Sequence, residues 1–126
     1  MRFNRYNLIE AVKNNDINRV NSILNNGKAN INAKDKEGWS VLMWASSEGH
    51  WKIFKLLVEN GVYINSKDYE GCSSLMWASL EGHLEIVKYL VKNGADINIK
   101  NEDGNTALDW AATEEIKEVL RKAGYK

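Results

Sequence analysis

Apolar positions along the chain fall into two alternating patterns. Dense blocks, VLMWA at 41–45, LMWA at 75–78 and ALDWAA at 107–112, are each followed by a segment with apolar residues at steps of three and four. Those segments carry Ile53, Leu56 and Leu57, then Ile86, Tyr89 and Leu90, then Ile116, Val119 and Leu120. Such steps place side chains on one face of a helix, so each predicts a helix with one buried stripe. Val20, Ile23 and Leu24 match the same pattern one period earlier. The dense blocks read as shorter helices preceding each of these.

Punctuation supports the division. Ser40, Ser73 and Thr106 stand just before the dense blocks, where a hydroxyl can accept a bond from an otherwise unpaired first-turn amide. Gly49 and Gly82 suit the left-handed backbone that ends a first helix, and Gly61 and Gly94 end the second ones. The stretches VYINSKD and ADINIKN then lead extended chain into a turn. Each unit is helix, turn, helix and hairpin-like loop.

The unit recurs at a fixed step of 33 residues: Gly38, Gly71 and Gly104; Leu42, Leu75 and Leu108; Trp44, Trp77 and Trp110; Ala45, Ala78 and Ala111. The aligned segments are GWSVLMWASSEGH at 38–50, GCSSLMWASLEGH at 71–83 and GNTALDWAA at 104–112. A 33-residue period with this content resembles the ankyrin repeat, whose core is a TPLHxA-like segment, a GH, an apolar second helix and a GADIN-like exit. NGADIN at 93–98 matches that exit. The resemblance implies an all-α solenoid of stacked helix-turn-helix units with short hairpin-like loops. It implies one domain over residues 1–126, with a divergent unit at about 4–34, full units at about 35–67 and 68–100, and a shortened one at 101–126.

The chain departs from the family pattern in three ways. It has no proline, so Val41, Ser74 and Ala107 fill the helix-start site without a pre-set backbone angle. Met43, Met76 and Asp109 replace the family's usual histidine, which predicts loss of the hydrogen bond made there. In the last unit the apolar triplet follows its predecessor by 30 residues, so the turn between helices has lost three. With EEIKEVLRKAGYK supplying charges between its apolar positions, that unit reads as a polar C-terminal cap.

Helices of about ten residues are marginal alone in water, so stacking must supply their stability. Ala45, Ala78 and Ala111 let neighbouring helices approach, and Trp44, Trp77 and Trp110 are expected to form a mostly buried ladder. The family binds partners along a concave side made of loop tips and first helices. The resemblance therefore places Lys36, Glu37, Tyr69, Glu70, Glu102 and Asp103 at the tips, and Trp39 and Cys72 just after the tip glycines. It places Ser47, Glu48, Leu80 and Glu81 at the exposed ends of the first helices. Cys72 and Asn105 hold the sites equivalent to Trp39, so stacking does not demand a tryptophan there. Two readings stand for Trp39: an interface anchor beside exposed Tyr69, or a ring folded over its own loop.

Lys and Arg total 17, as do Asp and Glu, so no net charge favours nucleic acid or an anionic membrane. The balance hides a polarity. Glu37, Glu48, Glu70, Glu81, Glu102 and Asp103 dominate the concave set over Lys36, with Lys34, Lys67 and Lys100 as a partial offset. Lys52, Lys55, Lys88, Lys92, Lys117, Arg121 and Lys122 make the second helices basic. A basic or mixed peptide is the partner this bias favours.

No phosphate-cradling glycine loop, nucleophile elbow or zinc spacing occurs. His50 and His83 recur with the repeat and are expected to be hydrogen-bonded at the turns and free of metal. Cys72, without a histidine or base nearby in sequence, reads as a small surface residue. No catalytic residue, metal or cofactor is assigned, and no apolar run approaches the roughly 18 residues needed to span a bilayer. A lone cysteine and the absence of a secretory signal make the cytoplasm the default location. The expected molecule is a monomeric adaptor or inhibitor that binds another protein, with a self-associating module as the alternative.

Overall fold

The computed structural model describes residues 5–124. Eight helices follow in order: α1 (Arg5–Lys13), α2 (Ile17–Asn26), α3 (Val41–Glu48), α4 (Trp51–Glu59), α5 (Ser74–Leu80), α6 (Leu84–Lys92), α7 (Ala107–Trp110) and α8 (Glu114–Lys122). They form four antiparallel pairs, α1/α2 through α7/α8. Among the described residues there is no strand, only single bridges from Lys34 to Ser40 and from Lys67 to Ser73 across the loop tips.

The caps act as their residue types require. The hydroxyls of Ser40, Ser73 and Thr106 accept from the amides of Met43, Met76 and Asp109 at 3.2, 3.3 and 3.4 Å. At Met43 and Asp109, contrary to expectation, replacement of the usual histidine does not abolish a bond at that site, whereas Met76 accepts none. The Ser40 amide donates to Met43 Sδ at 3.5 Å, and the Thr106 amide to Asp109 Oδ2 at 2.8 Å. Thioether and carboxylate are both acceptors, so either can close the N-terminal box, the carboxylate more strongly.

The first unit carries one residue more than a strict 33-residue step allows. Its second helix is capped by Asp16 and ends at left-handed Gly27, whereas the next is capped by His50 and followed by left-handed Gly61. Both offsets are 34. Asn15, the one described non-glycine residue with positive φ, stands where Gly49 stands. Val20 thus aligns with buried Phe54 and not with Ile53. The extra residue lies between Gly27 and Asn32. Asn32 is already back in step, because its Oδ1 accepts from the Tyr63 amide as Asn65 Oδ1 accepts from that of Asp96.

The first helices α1, α3, α5 and α7 lie directly against one another, while α4 touches α2 and α6 only sparsely. A row packed more closely on one side than the other must curve, and the first helices and loop tips occupy its concave side. Leu8, Leu42, Leu75, Phe54, Leu57, Ile86, Leu90, Ile116 and Leu120 make a continuous core between the two rows. Each such side chain contributes about 1.5–3 kcal/mol on burial.

The end unit is shorter, as its sequence predicts. α7 is a single turn, Thr113 caps α8, and the Ala112 amide donates to the Ser79 carbonyl at 3.0 Å. In the preceding unit a histidine ring meets the Ser47 carbonyl, one position further along the helix than the equivalent of Ser79. A backbone amide thus ties the shortened unit to its neighbour where the full unit uses a ring. On the outer side of α8, Glu114 pairs with Lys117 and Arg121 at 3.3 and 3.8 Å.

Candidate functional site

The loop tips are organised by one residue per unit that the repeat comparison did not single out. Asp35 Oδ1 accepts from the amides of Glu37 and Trp39, Asp68 Oδ1 from those of Glu70 and Cys72, and Asn101 Oδ1 from those of Asp103 and Asn105, all at 2.9–3.0 Å. These three recur at 33 residues and are all Asp or Asn, the residue types that turn a chain by capturing amides two and four residues on. That recurrence was the available signal. In the two full units the second carboxylate oxygen ties a tryptophan: Trp44 Nε1 donates to Asp35 Oδ2 at 2.9 Å and Trp77 Nε1 to Asp68 Oδ2 at 3.1 Å.

Trp44, Trp77 and Trp110 are partly buried and packed against the core, none of them largely exposed, so the expected ladder stands. Trp39 joins it, its ring 4.8 Å from Trp44 and 4.7 Å from Trp77, and Trp110 continues it 5.3 Å from Trp77. Trp39 is therefore not a free tip aromatic. It bridges two repeats, half-buried, because its neighbours offer ring faces on both sides.

Of the other tip residues, Lys36, Glu37, Tyr69, Glu70, Glu102 and Asp103 are exposed, as are Glu48, Leu80 and Glu81 at the helix ends. Tyr69 keeps 69% of its surface in water yet lies over the preceding loop, so close to Gly38 that a Cβ there would stand 2.7 Å from the ring. Ser47 is half-buried, with its carbonyl engaged by His83. No rim carboxylate forms an ion pair among the described residues; the pairs present lie on α6 and α8. Lys34, one of the offsetting lysines, donates instead to the Lys67 carbonyl at 2.8 Å.

Cys72 does not belong to this surface. Only 1% of it is accessible, and the Asn101 side-chain amide lies 3.6 Å from its sulfur. The cause is the tip turn, which directs the side chain after the glycine towards the next unit. Burial, the largest cause, pushes the thiol above its ordinary value; Asp68, Glu70 and Asp103 add to the rise, and the Asn101 bond opposes it.

The histidines divide. His83 Nε2 lies 2.9 Å from the Ser47 carbonyl oxygen, and a carbonyl can only accept, so this nitrogen carries the proton. His50 Nε2 is buried without a partner, against the expectation for both rings.

The opposite face carries Trp51, 37% exposed and edge-on to Tyr89 at 5.4 Å. It borders a shallow groove between α2 and α4 lined by Ile17, Lys52, Lys55 and Leu56. No described helix is long and apolar enough to cross a membrane.

Comparison with known proteins agrees with this architecture. A 47-residue stretch is 47% identical to part of an acyl-CoA-binding domain-containing protein 6 homolog of Dictyostelium discoideum, covering 37% of this chain and 16% of that protein. A family model of ankyrin repeats in three copies matches residues 8–101, and repeats of this kind are generally protein-protein interaction modules. Given helix pairs in register, left-handed glycine turns and hairpin tips across that match, the chain belongs to the ankyrin-repeat family.

Proposed function

We propose that this chain is an adaptor or inhibitor that binds another protein through its concave face and loop tips and carries out no reaction of its own. The observation that supports this most is the acidic rim. Glu37, Glu48, Glu70, Glu81, Glu102 and Asp103 are exposed and unpaired among the described residues, beside Tyr69 and Leu80, which keep 69% and 41% of their surface accessible. Unneutralised carboxylates around exposed apolar anchors favour a basic or mixed partner segment, through faster encounter and exclusion of acidic competitors. A rigid stack presents that surface already ordered, which lowers the entropic cost of binding. A monomer in a reducing compartment such as the cytoplasm suits this role.

The test compares partner capture by the native protein, by a rim variant (Tyr69→Ser, Glu70→Lys, Glu102→Lys) and by a second-helix variant (Lys88→Glu, Lys92→Glu). The protein captured by the native chain should be lost by the rim variant and kept by the other. The reverse pattern refutes the reading. Light scattering should return the monomer mass at all concentrations; a dimer abolished by the rim variant would establish self-association instead.

A further inference from the structure

The second-helix side of the stack carries an aromatic that the fold does not demand. Ile17, Trp51 and Leu84 are the first residues of α2, α4 and α6. The two aliphatic side chains are partly buried, whereas the tryptophan keeps 37% of its surface accessible. Its ring is fixed by neighbours, 5.9 Å from Phe54 and edge-on to Tyr89 at 5.4 Å. Beside it the groove between α2 and α4 has a volume of about 360 Å³, with Ile17 and Leu56 as further apolar lining. Charge sets this groove apart from the one between α6 and α8. There Lys88 and Lys122 are matched in number by Glu115 and Glu118, and those two helices hold all the ion pairs among the described residues. Between α2 and α4, exposed Lys52 and Lys55 outnumber Glu59, and none of the three is in an ion pair among the described residues. The α2 wall, INRVNSILNN, has no acidic residue, and Asp16 before it is engaged in capping the Arg19 amide at 3.1 Å.

We propose that this groove seats an acidic segment of a second partner protein, which packs an apolar side chain against Trp51 and sets carboxylates on Lys52 and Lys55. The groove is too open to enclose a small molecule, which needs most of its surface covered, but it suits a side chain delivered by a longer chain. An aromatic already fixed by its neighbours loses little freedom on binding, and residues of this type anchor interfaces. Unpaired lysines give up no internal ion pair when a carboxylate arrives, and they steer its approach. The inference is independent of the concave-face reading and goes beyond it. With an acidic rim on one side and a basic groove on the other, the chain can hold two partners of opposite charge at once.

The test uses the whole protein, isotopically labelled, with capped Gly-Glu-Glu-Leu-Phe-Glu-Gly as probe and the same peptide with Gln for each Glu as a neutral control. The acidic peptide should move the Trp51 side-chain N–H and the backbone amides of Lys52 and Leu56 saturably, and leave Trp39 and Trp77 in the concave row still. It should bind about tenfold more tightly than the neutral peptide. Lys52→Glu with Lys55→Glu reverses exposed, unpaired charges without disturbing the core, and should weaken binding about tenfold. Trp51→Leu installs the residue type of the α6 site, so the stack tolerates it, and should weaken binding by a similar factor. Lys88→Gln with Lys122→Gln, in the charge-matched groove, should bind as the native protein does. A Trp51 resonance that stays still, equal binding of the neutral peptide, or undiminished binding by either α4 variant overturns the proposal. So does a dimer in light scattering that Lys52→Glu with Lys55→Glu dissolves, since the acidic rim of a second copy is then the occupant. Rim-dependent capture is read in a separate experiment, so the concave-face reading stands or falls apart from these outcomes.

Discussion

Replacing Asp68 by alanine removes three hydrogen bonds from one buried turn: the amides of Glu70 and Cys72 on Oδ1, each at 2.9 Å, and the Trp77 indole N–H on Oδ2 at 3.1 Å. Bonds to an ionised acceptor contribute about 1.5–3 kcal/mol each, less when they share a side chain, and a stranded buried donor adds a desolvation cost. The Cys72 amide is such a donor. Asp68→Ala is therefore expected to cost about 3–5 kcal/mol, a large share of the roughly 5–15 kcal/mol a domain possesses. Asp68→Asn separates the parts. Asn101 shows that an asparagine keeps both amide bonds on Oδ1, so only the indole bond is lost, for about 1–2 kcal/mol. Urea denaturation followed by far-UV circular dichroism gives both values, with the slope checking that the array still unfolds as one unit. Equal losses in the two variants would refute the division of labour between the carboxylate oxygens.

Gly49→Ala should destabilise by more than Gly61→Ala: their φ values are +73° and +81°, but a Cβ at 49 meets His83 at 2.6 Å whereas at 61 it meets nothing within 4 Å. Paired urea melts measure the difference, which the left-handed backbone alone would make zero. His83→Ala should cost about 1–2 kcal/mol by leaving the Ser47 carbonyl without its donor, while His50→Ala should cost less, since its buried Nε2 has no partner to lose; equal thermal shifts would contradict this. Cys72 should resist alkylation in the native state and react on unfolding. Its folded pKa lies above the ordinary 9.0, so its contribution is fully present below pH 9.0 and is lost as pH rises above that. Compared with Cys72→Ala, the native protein should lose stability more steeply through that window; parallel pH profiles would show that the thiol stays solvated.

The sequence alone determined the repeating unit, its two helices, their caps and the shortened end, because each is a local matter. Hydroxyl caps at Ser40, Ser73 and Thr106, glycines at left-handed turns and steps of three and four act within a few residues of chain, and a period repeats their signal until it is unmistakable. The rim positions were legible for the same reason, being fixed by their place in the unit. What lay between units was not. Cys72 and Trp39 occupy equivalent places, yet one is sealed against Asn101 and the other wedged between Trp44 and Trp77. Those outcomes depend on what the neighbouring repeat presents. The extra residue in the first unit was hidden because Val20, Ile23 and Leu24 fit a helical stripe in either register; packing of Val20 where Phe54 packs decided it. Only the stack brings Lys13 over Trp44 and sets Trp39 and Trp110 against Trp77, since side chains in different units meet through the packing of the row and not through their spacing in the chain.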